Sequence, residues 1–198
     1  MLALLLTLAC GAPADVPRAS PAASVSREEG PEGTDHAWSG QGGLRGGGVS
    51  LAMEGTTLFG PERIALATGL YEAPVVNDAT LCAVGDIPDG KGALQCWSAE
   101  GGSLGQPVTV VSGGRPDRVA VADTAVAWVA SPDGLPQVFV GDTLGRSPPR
   151  PLTNVGLARP AGGPPPGFVP PPHRDTLHFD GDRLRWQTAD GAREVSWR

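Results

Sequence analysis

The chain has little positive charge and no long apolar run. Lysine and arginine number 15 against 21 acidic residues, giving a formal charge of −6 and a pI near 5.0. A phosphate backbone demands a basic face, so this balance argues against nucleic acid as a partner. It equally excludes a polybasic membrane patch. Lys91 is the only lysine, which we read as a bias of genome composition and not as chemistry. No apolar stretch reaches the about 20 residues that a spanning helix needs. No window shows sustained helical periodicity. Nucleotide-binding signals are missing as well. The glycine-rich GQGGLRGGG at 40–48 has neither the strand context nor the lysine of a phosphate loop. No cofactor is expected.

What the chain does have is glycine and proline, 29 and 21 residues, about a quarter of the total. They are dense near the N-terminus, just after an apolar leader. Residues 2–9 read LALLLTLA and are followed at once by Cys10, within the usual length of a signal h-region. The stretch resembles a bacterial lipoprotein signal, with Thr7 where that family prefers leucine. The resemblance implies cleavage before Cys10, acylation of its thiol and a membrane anchor, with the outer membrane or periplasmic side preferred because Gly11 follows. An ordinary secretory signal is the competing reading. Residues 11–48 are rich in Ala, Pro, Ser and Gly, with Trp38 as the one aromatic. Such a segment buries too little apolar surface to offset chain entropy, so it reads as a flexible tether. The domain proper is expected over 49–198.

That part carries an internal repeat. Pro88-Asp89-Gly90 and Pro132-Asp133-Gly134 lie 44 residues apart. The same ungapped shift places Val75 on Val119, Thr80 on Thr124, Ala83 on Ala127, Leu94 on Val138 and Gly101 on Gly145. Pro107, Thr109 and Val111 fall on Pro151, Thr153 and Val155. A partial third copy puts Ile64, Leu66 and Gly69 on Val108, Val110 and Gly113. A unit of this length is in the range of a four-stranded propeller blade. In the clearest unit, strands are expected at 118–121, 125–130, 137–141 and 151–155, with a Pro-Asp-Gly turn after the second. A final hairpin is expected over 177–197, turning at Asp180-Gly181 and Asp190-Gly191.

Residues 126–154, with Ser131 to Gly134, Val138 to Val140 and Leu152-Thr153-Asn154, resemble the TolB-type β-propeller repeat. The likeness covers roughly 63–156. It implies an all-β, propeller-like fold and a binding or scaffolding role in the cell envelope, with envelope proteins as partners. In a closed form, the strand near 49–53 would complete the last blade.

Candidate chemistry is sparse. Cys82 and Cys96 flank the first Pro-Asp-Gly turn at equal distance, which sets them nearly opposite on neighbouring antiparallel strands and within reach of a disulfide. An exported compartment favours oxidation. Two buried thiols are the alternative, because the second unit has Val126 and Val140 at the matching positions. Gly101-Gly102-Ser103-Leu104-Gly105 matches a serine-hydrolase pattern, but a strand with Pro107 follows where that motif needs a helix; it reads as a loop. His173, Asp175, His178 and Asp180 form the one His/carboxylate cluster. The five-residue spacing of the histidines would set them on opposite sides of a strand, so no metal site is expected. Trp97, Trp128, Trp186 and Trp197 fall in expected strands and read first as core. Were Trp128 or Trp186 to line an open face, a glycan or peptide could stack there. The stiff GGPPPGFVPPP at 162–172 reads as a strap between units; a docking segment anchored by Phe168 is the alternative. The sum is a non-enzymatic, membrane-anchored binding module, with a carbohydrate- or peptide-binding protein as the rival.

Overall fold

A computed structural model describes residues 43–46, 49–87, 90–158 and 161–198. The leader, Cys10, Trp38 and most of the tether lie outside the described residues. The fold is all-β. Among the described residues there is no α-helix, only one turn of 3-10 helix at Pro61–Arg63.

The strands form four small antiparallel sheets, each built from consecutive strands. Sheet 1 holds β1 (Gly43–Gly46), β2 (Val49–Glu54), β3 (Thr57–Phe59) and β4 (Ala65–Ala67). Sheet 2 holds β5 (Val75–Val76), β6 (Thr80–Ile87), β7 (Gly90–Glu100), β8 (Ser103–Leu104) and β9 (Val108–Val111), with both β8 and β9 on the outer edge of β7. Sheet 3 holds β10 (Asp117–Ala122), β11 (Ala125–Ala130), β12 (Gln137–Asp142) and β13 (Arg150–Pro151). Sheet 4 has three strands, β14 (His178–Asp180), β15 (Arg183–Thr188) and β16 (Gly191–Ser196).

Side-chain alternation dictates how the sheets stack. Successive residues of a strand face opposite sides, so a strand buried on both faces reads as a continuous apolar run. In β6, Leu81 and Ala83 join a core with Val49, Leu51, Met53 and Leu58 of sheet 1. Cys82 and Val84 point the other way, into a core with Val126 and Trp128 of sheet 3. In β11, Ala127 and Val129 then face Leu184 and Trp186 of sheet 4. Each such interface removes large side chains from water, at about 1.5–3 kcal/mol per fully buried one. The approach of sheets 1 and 2 is close enough to require glycine at position 85. A Cβ there would lie 2.7 Å from the Thr68 carbonyl oxygen, beside the lone bridge between Thr68 and Asp86.

The run of cores stops at sheet 4. In β15, Leu184, Trp186 and Thr188 are buried while Arg183, Arg185 and Gln187 are exposed. Its outer face carries ion pairs of Arg183 and Arg185 with Glu194, and of Arg185 with Asp180. The described residues therefore make four sheets joined by three apolar cores, an open array with a charged end. A closed ring would require a fourth core between sheets 4 and 1. The strand expected to close the last blade does not do so: β2 pairs with β1 and β3 inside its own sheet. Its buried Val49, Leu51 and Met53 are already spent on the core with sheet 2. Among the described residues, Gly43–Gly46 also forms a strand, within the segment expected to be tether.

The repeat holds in topology, with a correction in register. Both Pro-Asp-Gly segments join the second strand of a sheet to the third. Cys82 pairs with Cys96, and the matching pair in sheet 3 is Ala127 with Val140, not Val126 with Val140. The cause lies in the turns. In sheet 2 the hairpin closes tightly at Ile87 and Gly90 with a bulge. In sheet 3 a six-residue loop at 131–136 separates Ala130 from Gln137. A slip of one residue turns a strand's side chains over. Val126 accordingly faces back to sheet 2, whereas Cys82 faces forward to sheet 3. The outer strand of sheet 3 is also shorter than expected, because only Arg150 and Pro151 pair with β12.

Candidate functional site

Two cysteines and one polar cluster stand out from this apolar frame. Cys82 and Cys96 are direct partners in the ladder, and their sulfurs lie at bonding distance, 2.02 Å. They are 1% and 0% exposed, inside the core between sheets 2 and 3.

The polar cluster forms where the first strands of the sheets approach one another, β10 lying against β5, β6 and β14. Tyr71 and Glu72 come from the loop that leads into β5. Asp86 ends β6. Asp117 and Arg118 open β10, Arg115 lies just before it, and Arg174 precedes β14. The Arg115 guanidinium stacks over the Tyr71 ring, 5.2 Å from its centre. Arg174 reaches Glu72 at 4.0 Å. The Asp86 carboxylate accepts the backbone N–H of Gly92 at 3.3 Å, and a Cβ on Gly92 would touch both Arg115 and the Tyr71 hydroxyl. The cluster is packed.

Three of its polar atoms are nevertheless buried without a hydrogen-bond partner: the Tyr71 hydroxyl, Asp117 Oδ1 and Arg118 Nε. Each such group costs about 1–3 kcal/mol. The backbone adds to this, since Arg115 and Arg118 take left-handed φ values of 45° and 50° on either side of Asp117, where the ladder is irregular. Strain of this kind costs on the order of 1 kcal/mol or more per residue and collects at functional sites. Burial pushes the Tyr71 phenol up to about 12, against the opposing pull of Arg115. Burial also raises Asp117, while Arg118 and Arg174 hold it down. The phenol is thus a neutral donor at any physiological pH.

The residues singled out from sequence lie elsewhere. Trp128 and Trp186 are 1% and 2% exposed and belong to two different cores. A face lined by them is therefore corrected to core, because both rings are consumed in packing between sheets and Trp128 stacks on Phe139. Ser103 sits in β8, a two-residue strand turning back on β7, with no helix behind it. His178 Nδ1 lies 2.9 Å from the Thr176 carbonyl oxygen, Asp180 pairs with Arg185, and His173 donates its backbone N–H to Gln187. These contacts use the His/carboxylate segment to hold sheet 4 together. Phe168 is half-buried. The strap carrying it is fixed by Asn154, whose side chain donates to the Pro136 and Val169 carbonyls and accepts the Val169 N–H, all within 2.8 Å. Thr153, next to it, accepts the Val138 N–H. The Leu-Thr-Asn motif is thereby a clamp joining outer strand, turn and strap.

Sequence reasoning missed Tyr71, Arg115, Asp117 and Arg118. The one available signal was GGRPDR at 113–118, three charges packed into a turn at the mouth of an inner strand. Comparison with protein-family models, curated proteins and solved structures gives no match. The class defined by the fold is an all-β protein of four serial antiparallel sheets.

Proposed function

We propose that this chain is an exported, lipid-anchored protein of the cell envelope that binds or scaffolds other envelope proteins and performs no catalysis. One observation carries the reading: a buried cysteine pair in ladder register with its sulfurs at bonding distance. Such a bond persists in an oxidising compartment and not in a reducing cytosol. Cys10 supplies the anchor, and residues 11–42 the spacer. The serial sheets, with their first strands gathered and their outer strands leading to the next sheet, support a propeller-like arrangement of the TolB type. The polar cluster around Tyr71 and Asp117 is the recognition site. Its unpartnered donors and acceptor suit a polar group on a partner, and Arg115 and Arg174 are the exposed side chains that would shift to admit it.

Metabolic labelling with palmitate tests the anchor. Label is expected in the wild-type protein and lost in Cys10→Ser, with the protein then released from the membrane fraction. Equal labelling of both, or label in neither, contradicts it. Envelope crosslinking of the wild type against Arg118→Ala tests the site. A discrete crosslinked partner present only with the wild type is expected, and an unchanged pattern overturns the assignment.

A further inference from the structure

Sheets 1, 2 and 3 each cover their third strand with a further one, whereas sheet 4 ends at β16. Among the described residues the outer edge of β16 pairs with nothing, and five of its six residues are exposed. The ladder fixes which backbone groups face outward. Trp197 donates its N–H to the Asp182 carbonyl oxygen, and Arg183 lies opposite Ser196. Trp197, Val195 and Arg193 therefore exchange hydrogen bonds with β15, and the alternate residues Ala192, Glu194 and Ser196 present theirs to the open edge. An edge of this kind is a template for another strand.

We infer that β16 pairs with β16 of a second copy of this chain, antiparallel across a two-fold axis at Val195, to make one six-stranded sheet. Charge selects this register. Centring the axis on Arg193 would set two guanidinium groups opposite each other, and centring it on Glu194 would oppose two carboxylates, both unfavourable. Centred on Val195, the two valines meet in a close, non-hydrogen-bonded pair. Each Arg193 then lies opposite the second copy's Trp197, whose ring already carries its own Arg198, and Glu194 exchanges backbone bonds with Ser196. Moving the axis further along shortens the ladder. Val195 and Trp197 already pack on the core between sheets 3 and 4, so the new pairs extend that apolar face. The inference does not depend on export or on lipidation.

The test is sedimentation equilibrium of the full-length chain. The wild-type mass is expected to rise with concentration from 20.2 kDa toward twice that value. Glu194→Pro removes an outward N–H in each copy and, like Glu194→Ala, the carboxylate that Arg183 and Arg185 hold; the backbone bonds to β15 stay intact. Relative to Glu194→Ala it should weaken association about thirtyfold for the two lost bonds, with the same thermal transition. Glu194→Ala, which keeps the N–H, should associate like the wild type. In a Cys10→Ser background, Val195→Cys should give an oxidised covalent dimer and Ser196→Cys should not. A wild type that stays monomeric, equal association of the proline and alanine variants, or crosslinking at 196 as readily as at 195 overturns the inference.

Discussion

Sheets 2 and 3 are two editions of one repeat, and they differ in how the same position is closed. Sheet 2 places Cys82 opposite Cys96; sheet 3 places Ala127 opposite Val140. Sheet 2 inserts the β8 hairpin before its outer strand, whereas sheet 3 uses Leu-Thr-Asn to clamp turn and strap. The lesson is that the site tolerates either a covalent link or plain apolar filling, because its requirement is set by the core on each side. The length of the connecting turn then decides which face a given residue occupies.

Substitutions in the core and the clamp separate the two solutions. Trp128→Ala should have the largest effect. The ring is buried in the core between the two sheets and stacked on Phe139. Its removal should cost about 4 kcal/mol in denaturant unfolding. Writing the sheet 3 solution into sheet 2, with Cys82→Ala and Cys96→Val together, should cost about 3 kcal/mol through loss of the cross-link. The same stability should follow from reducing the wild type, and equal stability of the oxidised wild type and the double variant would show that the cross-link contributes nothing. Asn154→Ala should cost about 2 kcal/mol, as three hydrogen bonds to the strap are lost. Limited proteolysis should then cut first within 162–172.

The smallest effect concerns Asp117. Its folded pKa lies above the ordinary carboxylate value because of burial, so the folded state holds this proton more tightly than the unfolded chain does. Stability from this group is therefore full below the unfolded pKa and is lost as pH rises through the raised folded value. Asp117→Asn should flatten that part of the pH profile and stabilise the protein at neutral pH relative to acid. A profile unchanged by the substitution would show that the carboxyl is solvated.

Much of this architecture was legible in the chain. The β11 strand was readable residue for residue from an apolar run bounded by Pro-Asp-Gly. The turns of sheet 4 were readable from Asp180-Gly181 and Asp190-Gly191, although they delimit three strands and not one hairpin. The pairing of Cys82 with Cys96 followed from their symmetry about a tight turn. What an ungapped repeat could not reveal was the one-residue slip at Val126, since the loop at 131–136 contains the same Pro-Asp-Gly as the tighter turn. Trp128 and Trp186 could not be placed inside or outside, because period-two alternation identifies a strand without saying whether its second face is covered. The cluster of Tyr71, Asp117 and Arg118 was invisible for another reason. It is assembled from loops distant in sequence, and burial, not residue type, makes it unusual.

Strand register sets sheet pairing, core composition and cysteine pairing together, and nuclear Overhauser contacts between α-protons read it directly. In a non-hydrogen-bonded antiparallel pair these protons are in close contact. The expected spectrum has a strong α-proton contact between Cys82 and Cys96 and another between Ala127 and Val140. A strong contact between Val126 and Val140 in its place would contradict the account.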